Sequence, residues 1–187
     1  MTLRSHIVLM ATYNQWMNAK VYEAAARLAH EELAADRKAF FRSLLGTLNH
    51  IVVGDTIWLK RFATHPAKHG ALEPVRSMPT PTSLDQMLFS ELAPLRKHRE
   101  RLDSIIKEWA ESLKDADLEH TLQYTNMKGV VGRRNFAGVV LHFFNHQTHH
   151  RGQATTLLSQ AGQDVGVTDL LMLIPDEAQQ AAAPHNS

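Results

Sequence analysis

Apolar side chains along this chain return at steps of three and four residues, the period that buries one face of a helix. Leu3, Ile7, Met10, Asn14, Met17 and Val21 set that rhythm for a first helix over residues 3–29, continued by Ala24 to Ala26. Phe40, Phe41, Leu44, Leu45, Leu48, Ile51, Val52, Trp58 and Phe62 set it for a second, over 37–63. Five helix breakers then fall between His65 and Thr82, namely Pro66, Gly70, Pro74, Pro79 and Pro81. Ser83 with Gln86 reads as a capping box opening a third helix, whose seam runs Leu84, Met87, Leu88, Leu92, Leu95, Leu102, Ile105, Ile106, Trp109 and Leu113. Pro94 interrupts that seam and predicts either a kink there or a later start.

Residues 117–134 break the helical rhythm. Leu118 to Met127, a turn at Lys128-Gly129, then Val130-Val131 predict two short extended pieces. A fourth helix follows over 135–160, with Gly162 placed to end it. An apolar cluster, Leu170 to Ile174, is spaced to dock on the helices, and beyond Pro175 the chain turns polar and Ala-rich and is expected to fray. The pattern holds no repeat. It predicts an all-α fold, a four-helix bundle with a hairpin-like insertion before the last long helix, in one domain over 1–175 with a polar tail at 176–187. The long connection after the second helix leaves room for a crossover.

Composition narrows the partners. Among 187 residues, 20 Lys and Arg against 19 Asp and Glu leave a net charge of +1, without the surplus cation density that nucleic acid calls for. No apolar run approaches the roughly 20 residues that span a bilayer, and no export signal opens the chain. Cysteine is absent, so a cytoplasmic protein is expected and any thiol chemistry must come from a substrate. Histidine is the departure. The chain holds 12, where ordinary usage of roughly 2% would supply about four.

Four of them lie on the last helix, in NFAGVVLHFFNHQTHHRGQATTLLSQAG. At about 100° per residue, His146 and His150 fall inside the apolar arc of Phe136, Val139, Val140, Phe143, Ala154, Leu157 and Leu158, one turn apart. His142 and His149 fall near its edge. Two imidazoles in a core seam need a partner for each nitrogen. One reading bonds them to neighbouring helices; the other has both ligate one metal ion. The Glu that follows the first His in HExxH zinc proteases is missing, so that chemistry is not indicated. Candidates for a third ligand are His50, His98, His6, His30, His65 and His69. His50 shares a face with Ser43, Thr47, Gly54 and Ile57, small enough to wall a cavity yet by periodicity the less buried side. His98, between Lys97 and Arg99, reads as solvated. Asn49, Asp55, Asn145, Gln147 and Gln153 are candidates to orient the rings, and Tyr13, Trp16, Trp58 and Phe144 to line a pocket or the core.

YNQWMNAKVY at Tyr13 to Tyr22, TLNHIVVGDTIWLKRF at Thr47 to Phe62 and HFFNHQTHHRGQ at His142 to Gln153 resemble the DinB (damage-inducible) superfamily, related to bacillithiol- and mycothiol-dependent transferases. The resemblance implies a four-helix bundle holding one divalent ion, zinc, nickel, iron or manganese, by His50, His146 and His150. It implies a homodimer and a stress or detoxification role. Characterised relatives transfer a low-molecular-weight thiol to an electrophile or isomerise a thiol-activated substrate. Three imidazoles would leave a coordination position open, as in catalytic sites. A metal-dependent hydrolase and a non-catalytic metal-binding stress protein are the alternatives. No general base stands out, and Arg133-Arg134 offer either a carboxylate-binding pair or a solvated turn.

Overall fold

A computed structural model describes residues 1–176; the predicted tail beyond lies almost wholly outside the described residues. The protein is mostly helical with a small two-stranded sheet, so the all-α expectation is corrected in that respect. Four long helices carry the core: α1 (Leu3–Ala25), α3 (Leu44–Phe62), α5 (Leu92–Ser112) and α7 (Phe136–Gln160). Short turns α2 (His30–Ala34), α4 (Glu73–Arg76) and α6 (Asp115–Leu118) connect them. Helix α1 packs on α5 and α7, and α3 packs on α7 and α5.

Each boundary has a local cause. Thr2 caps α1 by accepting the Ser5 N–H. That helix stops short of residue 29 because the Glu32 carboxylate takes up the Ala29 N–H and starts α2 instead. Helix α3 opens at Leu44, later than the apolar pattern predicts. Lys38 and Arg42 hold φ values of 58° and 66°, which no helix continues through, and the Ser43 hydroxyl accepts the Gly46 N–H. Phe40 and Phe41 therefore sit in a loop, Phe40 exposed. Helix α5 starts at Leu92 rather than Ser83, putting Pro94 in the first turn where its missing N–H costs little. Gln86 accepts the Thr82 N–H and stabilises a loop, and Leu84 and Met87 are about half exposed.

Strands β1 (Thr121–Thr125) and β2 (Val131–Asn135) pair antiparallel, Tyr124 opposite Gly132 and Leu122 opposite Arg134. Asn126 accepts the N–H groups of Lys128 and Val130, and Gly129 takes a φ of 79° that suits glycine. Asn135 caps α7 through Gly138, and Gly162 ends it with the paired bonds Gly162 N–H to Ser159 O and Gln163 N–H to Leu158 O. Beyond it, Leu170 and Leu173 pack on the core and the Tyr13 hydroxyl donates to the Thr168 carbonyl.

The core centres on Trp109, stacked on Phe62 and edged by Phe136 and Phe143. Beside it lies a buried polar chain that touches every long helix. Asp103 accepts from Asn14 and Asn18; Arg99 pairs with Asp55 and Asp103; Gln147 donates to Asp55, and Arg151 to Asn14. Two cations and two carboxylates balance there, all at most 3% exposed.

Candidate metal centre

Helix α3 brings His50, and α7 brings His146 and His150, into one group whose candidate ligand atoms all lie within 4.8 Å of one another. The i and i+4 spacing on α7 sets the two rings on one side, edge to face with 4.3 Å between centroids. His50 Nε2 lies 3.1 Å from His150 Nε2. Two nitrogens each about 2.0–2.1 Å from a tetrahedral ion would lie only slightly farther apart.

The tautomers follow from what the other nitrogens touch. His50 Nδ1 lies 2.7 Å from the Leu84 carbonyl oxygen, which can only accept. His150 Nδ1 lies 2.8 Å from Gln153 Oε1, while the Gln153 amide donates to His149. Each Nδ1 therefore carries the proton in the neutral ring, and each Nε2 presents a bare lone pair. Burial keeps the rings neutral. His50 is pushed down to about 4 and His146 to about 3, burial being the main cause in both and neighbouring histidines adding to it; His150 is lowered too, again mainly by burial. Two acceptors thus face each other across 3.1 Å with no proton between them.

Further features suit a cation at that point. His146 Nδ1 is buried with no hydrogen-bond partner among the described residues. A Cβ built on Gly54 would stand 2.8 Å from His146 Cε1, so only glycine leaves the ring its place. Phe41 stacks on His50 at 3.7 Å between centroids, closing one side. Three neutral imidazoles suit zinc, nickel or iron better than manganese, which favours oxygen ligands.

Periodicity misplaces two features. His50, on the side it predicts to be less buried, is 4% exposed because the loop carrying Leu84 covers it. His146 and His150 are half-buried on the flank of α7; the centre of its buried face is held by Gln147 and Arg151. His6, His30 and His98 stay outside the group. His98 is half-buried against Phe89 rather than solvated, and its neighbour Arg99 is 1% exposed. His65 and His69 form a second group with Asp117. There His65 Nδ1 accepts the Ala67 N–H and Nε2 donates to the Asp117 carbonyl, so both its nitrogens are used.

Of the ring-orienting candidates, Gln153 touches His150, and Asn49 acts at one remove. Asn49 exchanges hydrogen bonds with the Phe89 backbone and so fixes the loop that holds Leu84 over His50. Asp55 and Gln147 belong to the buried polar chain, and Asn145 is exposed. Phe41 and Leu84 escape periodicity as ring partners, since a carbonyl and a loop aromatic leave no periodic signal. Arg99 reads as surface charge in the sequence, although it stands four residues after Leu95 and three before Leu102, on the seam itself.

Among the described residues no helix is long and apolar enough to cross a membrane. The sequence profile of the DinB family matches residues 2–181. Protein DinB of Bacillus subtilis (strain 168) is 24% identical over 161 residues, covering 84% of this chain and 87% of its own. No solved structure matches the chain. A profile match of that span, on a helical chain that gathers histidines from the second and last long helices, settles kinship: this protein belongs to the DinB family.

Proposed function

We propose that the protein is a divalent-metal-dependent transferase that moves a low-molecular-weight thiol onto an electrophile, with the ion held by His50, His146 and His150. The observation that carries the metal assignment is the pair of facing lone pairs, His50 Nε2 and His150 Nε2, at 3.1 Å. Such an arrangement is repulsive unless a cation lies near both. Leu84 and Gln153 fix the two tautomers in the ligating form, and Gly54 leaves space for the third ring.

A bound divalent ion with three neutral ligands would supply a Lewis-acidic position that favours the thiolate form of a small thiol. In the transfer, sulfur forms the new C–S bond, the leaving group departs with its bonding pair, and the thiol proton goes to solvent. The chain has no cysteine, so the sulfur is the substrate's own. Partly open surface beside His146, walled by Ile57, Trp58 and His142, gives the reactants an approach.

The test uses untagged protein stripped with chelator and dialysed against zinc. One equivalent should bind and raise Tm, by roughly 5–10 °C when free zinc is about a hundredfold above Kd. His146→Ala should lose that shift while keeping its helical circular dichroism, and should lose thioether formation across a panel of small thiols and activated aryl halides. Zinc uptake unchanged in His146→Ala overturns the metal assignment. Thioether formation no faster than the uncatalysed rate with every pair overturns the transferase assignment.

A further inference from the structure

Two clefts meet beside the histidine group. The larger, about 690 Å3, is bordered by Trp58, Tyr124, Arg133, Arg134, Val139 and His142. The second, about 310 Å3, shares Trp58 and His142 with it and reaches His146, with Arg61 and Lys128 on its rim. The two therefore form one path from the β-hairpin to the candidate metal ligand. No Asp or Glu lines either part.

Charge is distributed unevenly along that path. Elsewhere on the surface several exposed arginines sit against carboxylates, as Arg27 with Glu23, Arg76 with Glu73 and Arg96 with Glu100. Among the described residues the side chains of Lys128, Arg133 and Arg134 make no hydrogen bond or ion pair. Arg61 is held between the rings of Trp58 and Tyr124, 4.5 and 4.8 Å from their centroids, and donates to the Thr125 carbonyl. In the hairpin register Arg134 lies on the same face as Tyr124, Arg133 lies on the other face and borders the cleft only at the strand edge, and Gly132 opposite Tyr124 leaves that ring its place. A chain with net charge +1 thus gathers four cations, without a carboxylate, along one aromatic-walled cleft. Guanidinium groups recognise planar or tetrahedral anions by paired N–H donors, and aromatic walls favour an organic ligand over a bare inorganic ion.

We infer that this cleft takes a small organic anion, with its acidic end at Arg134 and its reacting end toward His146. Resting on the proposed function, it makes the thiol or the electrophile a carboxylate-bearing molecule rather than a neutral one.

The first arm needs no metal. The metal-free full-length protein is titrated at fixed ionic strength with succinate, its neutral counterpart succinamide, or inorganic phosphate, following the 15N indole signal of Trp58. Succinate should shift that signal saturably and succinamide should not. Arg134→Gln should raise the succinate Kd about tenfold, with Arg134→Lys between it and wild type, and Arg133→Gln on the other face should raise it less. Equal response to succinamide, no saturable response to succinate, or unchanged Kd in Arg134→Gln overturns the inference. Phosphate binding as tightly as succinate shows an unselective anion patch and overturns it as well.

The second arm uses zinc-loaded protein, with mercaptosuccinate against cysteamine. Mercaptosuccinate should bind at least tenfold tighter, and Arg134→Gln should remove that advantage without changing the Kd for cysteamine. If zinc does not bind at all, the proposed function fails while the first arm still decides the cleft.

Discussion

At the scale of single residues, the candidate centre depends on nitrogens kept free of protons. Burial lowers His50 to about 4 and His146 to about 3, whereas in an unfolded chain both titrate near 6.5. Between those values the unfolded state binds more protons than the folded one, so unfolding free energy rises with pH. Metal-free protein should thus show its full histidine contribution above pH 6.5 and lose it progressively as pH falls toward 4 and below. Thermal melts from pH 7.5 to 4 should record a falling Tm, and the fall should be shallower in a His50→Gln/His146→Gln variant. A variant that falls as steeply as wild type would contradict the assignment of the shifts. The i and i+4 pair on α7 is visible in sequence because one helix fixes the spacing. The His50 tautomer is not, because it depends on Leu84 in a distant segment, whereas Gln153, which sets that of His150, lies three residues along the same helix.

Elements meet at this centre through a loop that periodicity misassigns. Ser83 and Gln86, with Leu84, Met87 and Leu88 beside them, satisfy the rules for a helix start, yet the segment before Leu92 is held in a non-helical path by Asn49. That path delivers the Leu84 carbonyl to His50, and it explains how the face with small residues becomes buried. Asn49→Ala should therefore weaken zinc binding by about 10–100-fold, as loss of a ligand-orienting contact typically does. Competition with a chromophoric chelator measures it; an unchanged affinity would show that the loop holds its place without Asn49. The four long helices were legible because each carries an apolar stripe, and the hairpin because Lys128-Gly129 marks its turn. Boundaries were displaced wherever a side-chain cap or a left-handed residue overrode the stripe, at Glu32, at Lys38 and Arg42, and at Asn49.

On the scale of the whole molecule, the polar chain from Asn14 through Asp103, Arg99 and Asp55 to Gln147 ties the four long helices to one another. Burial pushes the Asp55 and Asp103 carboxyls up, and the Arg99 guanidinium between them pulls them back toward the charged form. Arg99→Leu leaves two buried carboxylates without their cation and should cost about 3–5 kcal/mol of unfolding free energy. Urea denaturation at pH 7 reads it as a lower midpoint at unchanged slope, and a loss under about 1 kcal/mol would show the pair to be replaceable. Sliding any of these helices by one turn would strand a charge in oil, so each has only one seat. Gln147 and Arg151 stand one residue beyond His146 and His150, which means the teeth that lock α7 also dial the two imidazoles to their heading. The open end near the hairpin carries none of those teeth. Its lining can be exchanged while the lock stays shut.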